Sequence, residues 1–274
     1  LMTRVLAENF PEVLPNAPYT TYLRCHDDIG WAITDGDAAS VGLSGAAHRA
    51  FLSRFYGGDF PGSFAKGAYF QTNEETGDSR ISGSQASLAG LEQAVAQGDG
   101  RGVELAVHRM LMGTALIAAF GGIPLIYMGD EVAKLNDYSY KTDPLRANDS
   151  RWIHRPAMEW DKVARAEGSE TAAGQVLAGT RHNLQRRKAL RQFHAAVPTR
   201  ILQTDEKEVF ALARSAATGP VICLFNFSER VVPMQKSQLR RLGVSEFYDL
   251  LSDAPLSLDG QTYNLLPYGR VWAV

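Results

Sequence analysis

Apolar and polar positions fall into two textures along the chain. In the first two thirds, long stretches with helical spacing alternate with short, almost wholly apolar runs. Val5, Leu6 and Phe10 space like the tail of a helix, about 1–10, and Thr20–His26 is β-branched and aromatic enough for a strand. A long polar stretch, 30–100, follows. Helical spacing then predicts a helix over 102–120. Met110 to Gly129 carries no charge and has the length of a membrane span. Gly121-Gly122-Ile123-Pro124 interrupts it, because glycines suit a helix end and proline cannot continue one. The expectation is therefore a buried helix ending near Phe120 and a buried strand at 124–128, then a further helix at about 172–192.

With the polar stretch set aside, the order is α-β-α-β-α. That is the alternation of the last units of a (β/α)8 TIM barrel, so an α/β class is expected. Structureless loops beyond ~15 residues are uncommon in compact domains. Residues 30–100 also hold Phe51, Phe55, Phe60, Phe64 and Phe70, so they are expected to fold as a loop-inserted subdomain. After Pro198 the texture changes. Short runs such as Val209–Leu212 and Val221–Phe225, separated by turn residues, predict an antiparallel β-sandwich domain. The expected organisation is barrel at 1–29, insertion at 30–100, barrel at 101–196 and sandwich at 197–274.

Charge narrows the partners. With 28 Lys and Arg against 30 Asp and Glu, net −2, the chain has no basic field for nucleic acid. No membrane partner is expected either. Cys25 and Cys223 form no CxxC pair, which argues against a disulfide framework or a zinc site and fits a reducing, cytoplasmic setting. The chain opens mid-pattern without a leader-like segment, so an upstream part is expected to be missing. Asn226-Phe227-Ser228 matches a glycosylation sequon but sits in an apolar run and reads as accidental. Oligomeric state is left open.

The chemistry concentrates in TYLRCHDDIGW, Thr21 to Trp31. It delivers His26, Asp27 and Asp28 side by side where a strand ends at Gly30. Period two would place Tyr22, Arg24 and His26 on one face and Leu23, Cys25 and Asp27 on the other. From composition alone, the plainer reading is that the aspartates cap a following helix. Asp130-Glu131 is a second acidic pair, read as a loop anchor.

The block resembles the last catalytic segment of the α-amylase superfamily of glycoside hydrolases, and its form HDDIGW is similar to the amylosucrase group, which acts on sucrose. Three further stretches resemble the insertion of that group: Gly45–Phe55, Gly62–Gly67 and Gly77–Gly83. Asp149–Pro156 resembles the loop after the final barrel strand. The resemblance implies that Asp27 stabilises an oxocarbenium-like transition state and that His26 hydrogen-bonds the same sugar ring. It places Asp28 toward the neighbouring subsite and Arg49, Gln71, Asn73 and Arg80 on the acceptor side. Taken singly, each of those four is as readily a surface group or an internal ion pair. Arg151 would close the glucose pocket by pairing with an upstream aspartate outside this chain. The nucleophile and acid/base of a retaining mechanism have no counterpart in these segments, so the chain alone is expected to be catalytically incomplete. The implied parent enzyme takes sucrose and an α-glucan acceptor, glycogen or maltooligosaccharide, and needs no cofactor or metal. A sucrose hydrolase of the same group and a truncated carbohydrate-binding protein are the alternatives.

Overall fold

A computed structural model describes residues 1–9 and 17–274. The first helix is Met2–Asn9; Phe10, in the expected helix tail, lies outside the described residues. Contacts group the chain into two compact units. One holds Leu1, Arg24–Met110 and Ile126–Ala178, and the other holds Met2–Leu23, Leu111–Leu125 and Gly179–Val274. The polar stretch 30–100 is thus grouped with 126–178.

The helix expected at 102–120 forms as Gly100–Phe120, and 67% of its most apolar window is buried inside the protein. The one expected at 172–192 forms as Ala172–Ala189. The two strands between them are much shorter than their apolar runs. Thr20–Thr21 pairs in parallel with Ile123–Pro124, and Leu125 N–H adds one more bond to Thr21 C=O at 2.9 Å. These four residues form a two-stranded sheet of their own. A strand extends only as far as a neighbour supplies backbone partners. The runs at 20–26 and 124–128 are therefore not full strands, and Leu125 and Met128 are exposed where burial on both faces was expected.

Residues 199–273 fold into two sheets. Six strands form an antiparallel sheet in the order Ala254–Pro255, Tyr248–Asp249, Arg270–Ala273, Gly219–Asn226, Val209–Ala216, Thr199–Leu202. Leu258–Asp259, Thr262–Leu265 and Val232–Gln235 form a second, antiparallel sheet of three. The core contains side chains of both sheets, Ala211, Ile222, Leu224 and Val271 from the first and Met234 and Leu265 from the second. Period two sends Trp272 to the opposite face, where it is fully buried and meets Phe193 edge-on at 4.6 Å.

Asn226 of the sequon is itself buried, and its Nδ2 donates to the carbonyls of Arg230, Leu265 and Leu266. That amide is not presented for modification. Cys223 is fully buried, and burial raises its thiol pKa, whereas Cys25 is half-buried. A thiol reagent is expected to label Cys25 under native conditions and Cys223 only after unfolding. Equal labelling rates would contradict this packing.

The other unit carries helices Asp35–Ala39, Gly45–Gly57, Gln85–Leu88, Leu91–Gln97 and Trp160–Ala166 and a small hairpin, Ala68–Phe70 with Arg80–Ser82, on which Gly45–Gly57 packs. Phe51, Phe55, Phe60 and Phe64 of the stretch 30–100 cluster, with Phe51–Phe60 at 4.9 Å and Phe55–Phe64 at 5.1 Å, both edge-on. Gly58, at φ +91°, ends the helix Gly45–Gly57 in the left-handed conformation that glycine allows.

Candidate functional site

The segment from Arg24 to Trp31 is held by neighbours on every side. Ile29 and Ile81 exchange two backbone hydrogen bonds, at 2.8 and 3.0 Å, which lays the segment along the hairpin strand Arg80–Ser82. Trp31 Nε1–H donates to Ser53 Oγ and the Ser79 carbonyl. Upstream, Arg24 turns inward and is 5% exposed. Its Nη1 meets both oxygens of Asp130 at 2.8 and 2.9 Å, its Nε donates to Gly83 C=O, and its guanidinium lies 4.7 Å from the Tyr127 ring centre. Tyr22 and Leu23 are exposed, so the period-two arrangement of this segment is not followed. The helix-cap reading of Asp27 and Asp28 also fails. The next helix begins at Asp35, and Thr34 caps it through a reciprocal capping box with Asp37.

Asp27 is half-exposed and tied to Arg151, whose Nη1 donates to Oδ1 at 2.7 Å. That hydrogen bond holds the Asp27 carboxyl down at about 2, so it is ionised across the neutral range. Arg151 in turn is gripped by Asp149 through a two-pronged fork, Nε to Oδ1 and Nη2 to Oδ2, both 2.9 Å. Its guanidinium also lies 4.7 Å from the centre of the Phe70 ring. Arg151 was expected to pair with an aspartate outside this chain. Within the chain, Asp149 and Asp27 both meet it.

His26 presents an exposed side chain, and its carbonyl is held from below by His154 and Arg155. Asp28 lies close by, its side chain 5% exposed and its Oδ2 3.2 Å from Arg80 Nη1. Asp130, expected as a loop anchor, is one: it is buried, bound to Arg24, and accepts from Gln85 N–H.

The four acceptor-side candidates converge. Arg49, Gln71, Asn73 and Arg80 line a single open depression of about 440 Å³, together with Trp31 and Asp78. Their available valences differ. Arg49 is largely committed to protein partners, donating to Asp78, Asp35 and the Ile33 carbonyl. Asn73 accepts two backbone N–H groups at its side-chain oxygen. Arg80 is the more exposed guanidinium, at 55%. Gln71 is exposed and sits at φ +50°, a conformation L-residues adopt at a cost, and such positions cluster at binding sites.

Sequence reasoning missed Arg24, His154 and Arg155. They act on backbone carbonyls, and nothing in a sequence marks which carbonyls will lack a strand partner.

Residues 199–274 match the family model for the amylosucrase C-terminal domain. Among solved structures, AmyP in complex with maltose aligns at TM-score 0.49 and 14% identity over 61% of this chain and 34% of its own. A cyclic maltosyl-maltose hydrolase from Arthrobacter globiformis aligns at TM-score 0.42 and 19% identity, over 70% and 32%. A trehalulose synthase MutB variant with Tris aligns at 0.46 and 15%, over 61% and 38%. The chain spans about a third of the length of these structures.

Proposed function

We propose that this chain is the C-terminal part of an amylosucrase-type glucosyltransferase of the α-amylase superfamily, carrying the last units of its (β/α)8 barrel. The enzyme cleaves sucrose with retention, releases fructose and passes glucose to an α-1,4-glucan. The observation that carries the reading is the placement of Asp27, held by Arg151, beside exposed His26, with Asp28 joined through Arg80 to the polar depression. The C-terminal family match supports it independently.

Glycoside cleavage builds positive charge at the anomeric carbon, and an anionic carboxylate fixed beside it lowers the barrier. Asp27 meets that requirement, and His26 is a ring-hydroxyl partner. Asp28 and Asp149, which share this neighbourhood through Arg80 and Arg151, are each engaged by an arginine. The nucleophile and acid/base are assigned to another part of the enzyme, and this chain alone is expected to release no fructose from sucrose. Transfer to glucan requires an acceptor sugar held in place of water. Arg80, Gln71 and Asn73 are donors and acceptors of the kind that hold sugar hydroxyls.

The test is product analysis with the enzyme that contains this chain. Given sucrose and glycogen, it is expected to release more fructose than free glucose, with the difference appearing as α-1,4-glucan. Arg80→Ala is expected to lower transfer several-fold while lowering sucrose cleavage less. Equal glucose and fructose without polymer would identify a sucrose hydrolase instead. Glucan binding without any cleavage would identify a carbohydrate-binding protein.

A further inference from the structure

His154 is 2% exposed, and its ring is wedged between two backbone groups of fixed polarity. Gly83 N–H, 3.0 Å from Nδ1, can only donate. The His26 carbonyl, 3.0 Å from Nε2, can only accept. The pair defines one state of the ring, with Nδ1 bare, the proton on Nε2 and no charge. Arg155 Nε donates to the same His26 carbonyl at 2.7 Å, so the peptide group linking His26 to Asp27 has two side-chain donors. The Gly83 carbonyl, for its part, accepts from Arg24 Nε at 2.9 Å, and Arg24 is anchored on Asp130. Gly83 thus joins two ties that both return to the Arg24–Asp27 segment.

We infer that His154 is a positioning residue for Asp27: as a neutral, Nε2-protonated ring it binds the His26–Asp27 peptide group to Gly83 and so sets where the carboxylate stands. That Asp27 then faces a sugar rests on the function proposed above; the tie itself does not.

Protonating His154 would put a second donor against Gly83 N–H and break the tie. The charged groups around the ring are Arg24, Arg155 and Asp149, and the Tyr127 ring meets it edge-on at 6.4 Å. Burial is the largest influence, and with the two arginines it depresses the imidazole to about 4, against the His26 hydrogen bond and Asp149. The folded value lies below the unfolded value of 6.5, so the native state binds fewer protons between them. The contribution to stability is fully present above pH 6.5 and is lost as pH falls toward 4.

Nitrogen-15 spectra of histidine-labelled chain are expected to show the Nε2–H form of His154 with no titration between pH 8 and 5. An Nδ1–H form, or a midpoint above pH 6, would overturn the inference without touching the proposed function. His154→Phe keeps an aromatic ring, a somewhat larger one, and removes both bonds. His154→Gln keeps a donor that reaches the His26 carbonyl. The Asp27 amide resonance is expected to shift or broaden in the Phe variant and to return near its original position in the Gln variant. In the sucrose-cleaving enzyme the Phe variant is expected to lose about ten-fold in kcat with KM changed less, and Gln to restore most of it. An unmoved Asp27 resonance in the Phe variant would also overturn the inference. If that variant does not fold, the ring's form in the unmodified chain still decides. Wild-type enzyme without sucrose activity would count against the proposed function alone.

Discussion

Asp27→Asn, introduced into the enzyme that carries this chain, is expected to lower kcat for sucrose by about a hundred-fold or more while leaving the melting temperature almost unchanged. Asparagine has the same shape and keeps a carbonyl oxygen for Arg151 Nη1, so the local geometry has little reason to move. What disappears is the negative charge, which matters most when the anomeric carbon becomes cationic. The small effect on stability follows from exposure. The Asp27 side chain is 49% exposed, and such surface pairs are worth about 0–1 kcal/mol. His26→Ala is expected to cost less and partly through KM, since a hydrogen bond to the ring acts in ground state and transition state alike. Near-normal kcat in Asp27→Asn would leave this aspartate a structural partner of Arg151 and nothing more.

The candidate site was legible only in part, and the line between the parts is physical. Consecutive ionisable side chains at His26–Asp28 mark a place where chemistry is presented, and a block of eleven residues carries enough specificity to suggest which. The spacing of Arg49, Gln71, Asn73 and Arg80 offers no such cue. Their convergence on one depression depends on the helix Gly45–Gly57 packing against the hairpin, which a linear pattern does not encode. Arg151 illustrates the opposite case. Its resemblance pointed outside the chain and so gave no cue to the partners inside it: Asp149, two residues before it, offers a fork, and Asp27 a further oxygen.

Helices read well because each depends mainly on its own periodicity. Predicted bounds of 102–120 and about 172–192 meet observed ones of Gly100–Phe120 and Ala172–Ala189. Strands depend on neighbours. In the C-terminal region, Val209–Ala216 and Gly219–Asn226 pair along their whole lengths and were visible as apolar runs. Leu258–Asp259, Thr262–Leu265 and Arg270–Ala273 were not, since they mix polar and apolar residues over two to four positions. The runs at 20–26 and 124–128 failed in reverse: the pattern was there, but among the described residues the strand pairing is limited to Thr20–Thr21 with Ile123–Pro124.

The largest effect on stability is expected at Asp130. Arg24 and Asp130 are 3% and 6% exposed at their side chains, and they meet at 2.8 Å. Desolvating two charges is costly, and their mutual attraction is the main offset; removing one partner leaves the other buried without its counter-charge. Asp130→Ala is therefore expected to destabilise the unit holding it by about 3–5 kcal/mol, the range for broken buried pairs. Arg24 would keep the Gly83 carbonyl and the Tyr127 face, and its Nη2 already lacks a partner in the described structure. The paired replacement Arg24→Met with Asp130→Leu removes both charges and fills similar volume, so it is expected to recover most of the loss. That recovery separates a charge left unpaired from a cavity. Function should behave differently. Arg24 carries one of the two ties to Gly83, so the double variant is expected to fold yet hold Asp27 less firmly, with lower kcat than its stability would suggest. Urea unfolding of the single and double variants, read with a probe in this unit, decides the first point. A double variant no more stable than Asp130→Ala would show that the site requires the ion pair itself and not merely the absence of a lone charge.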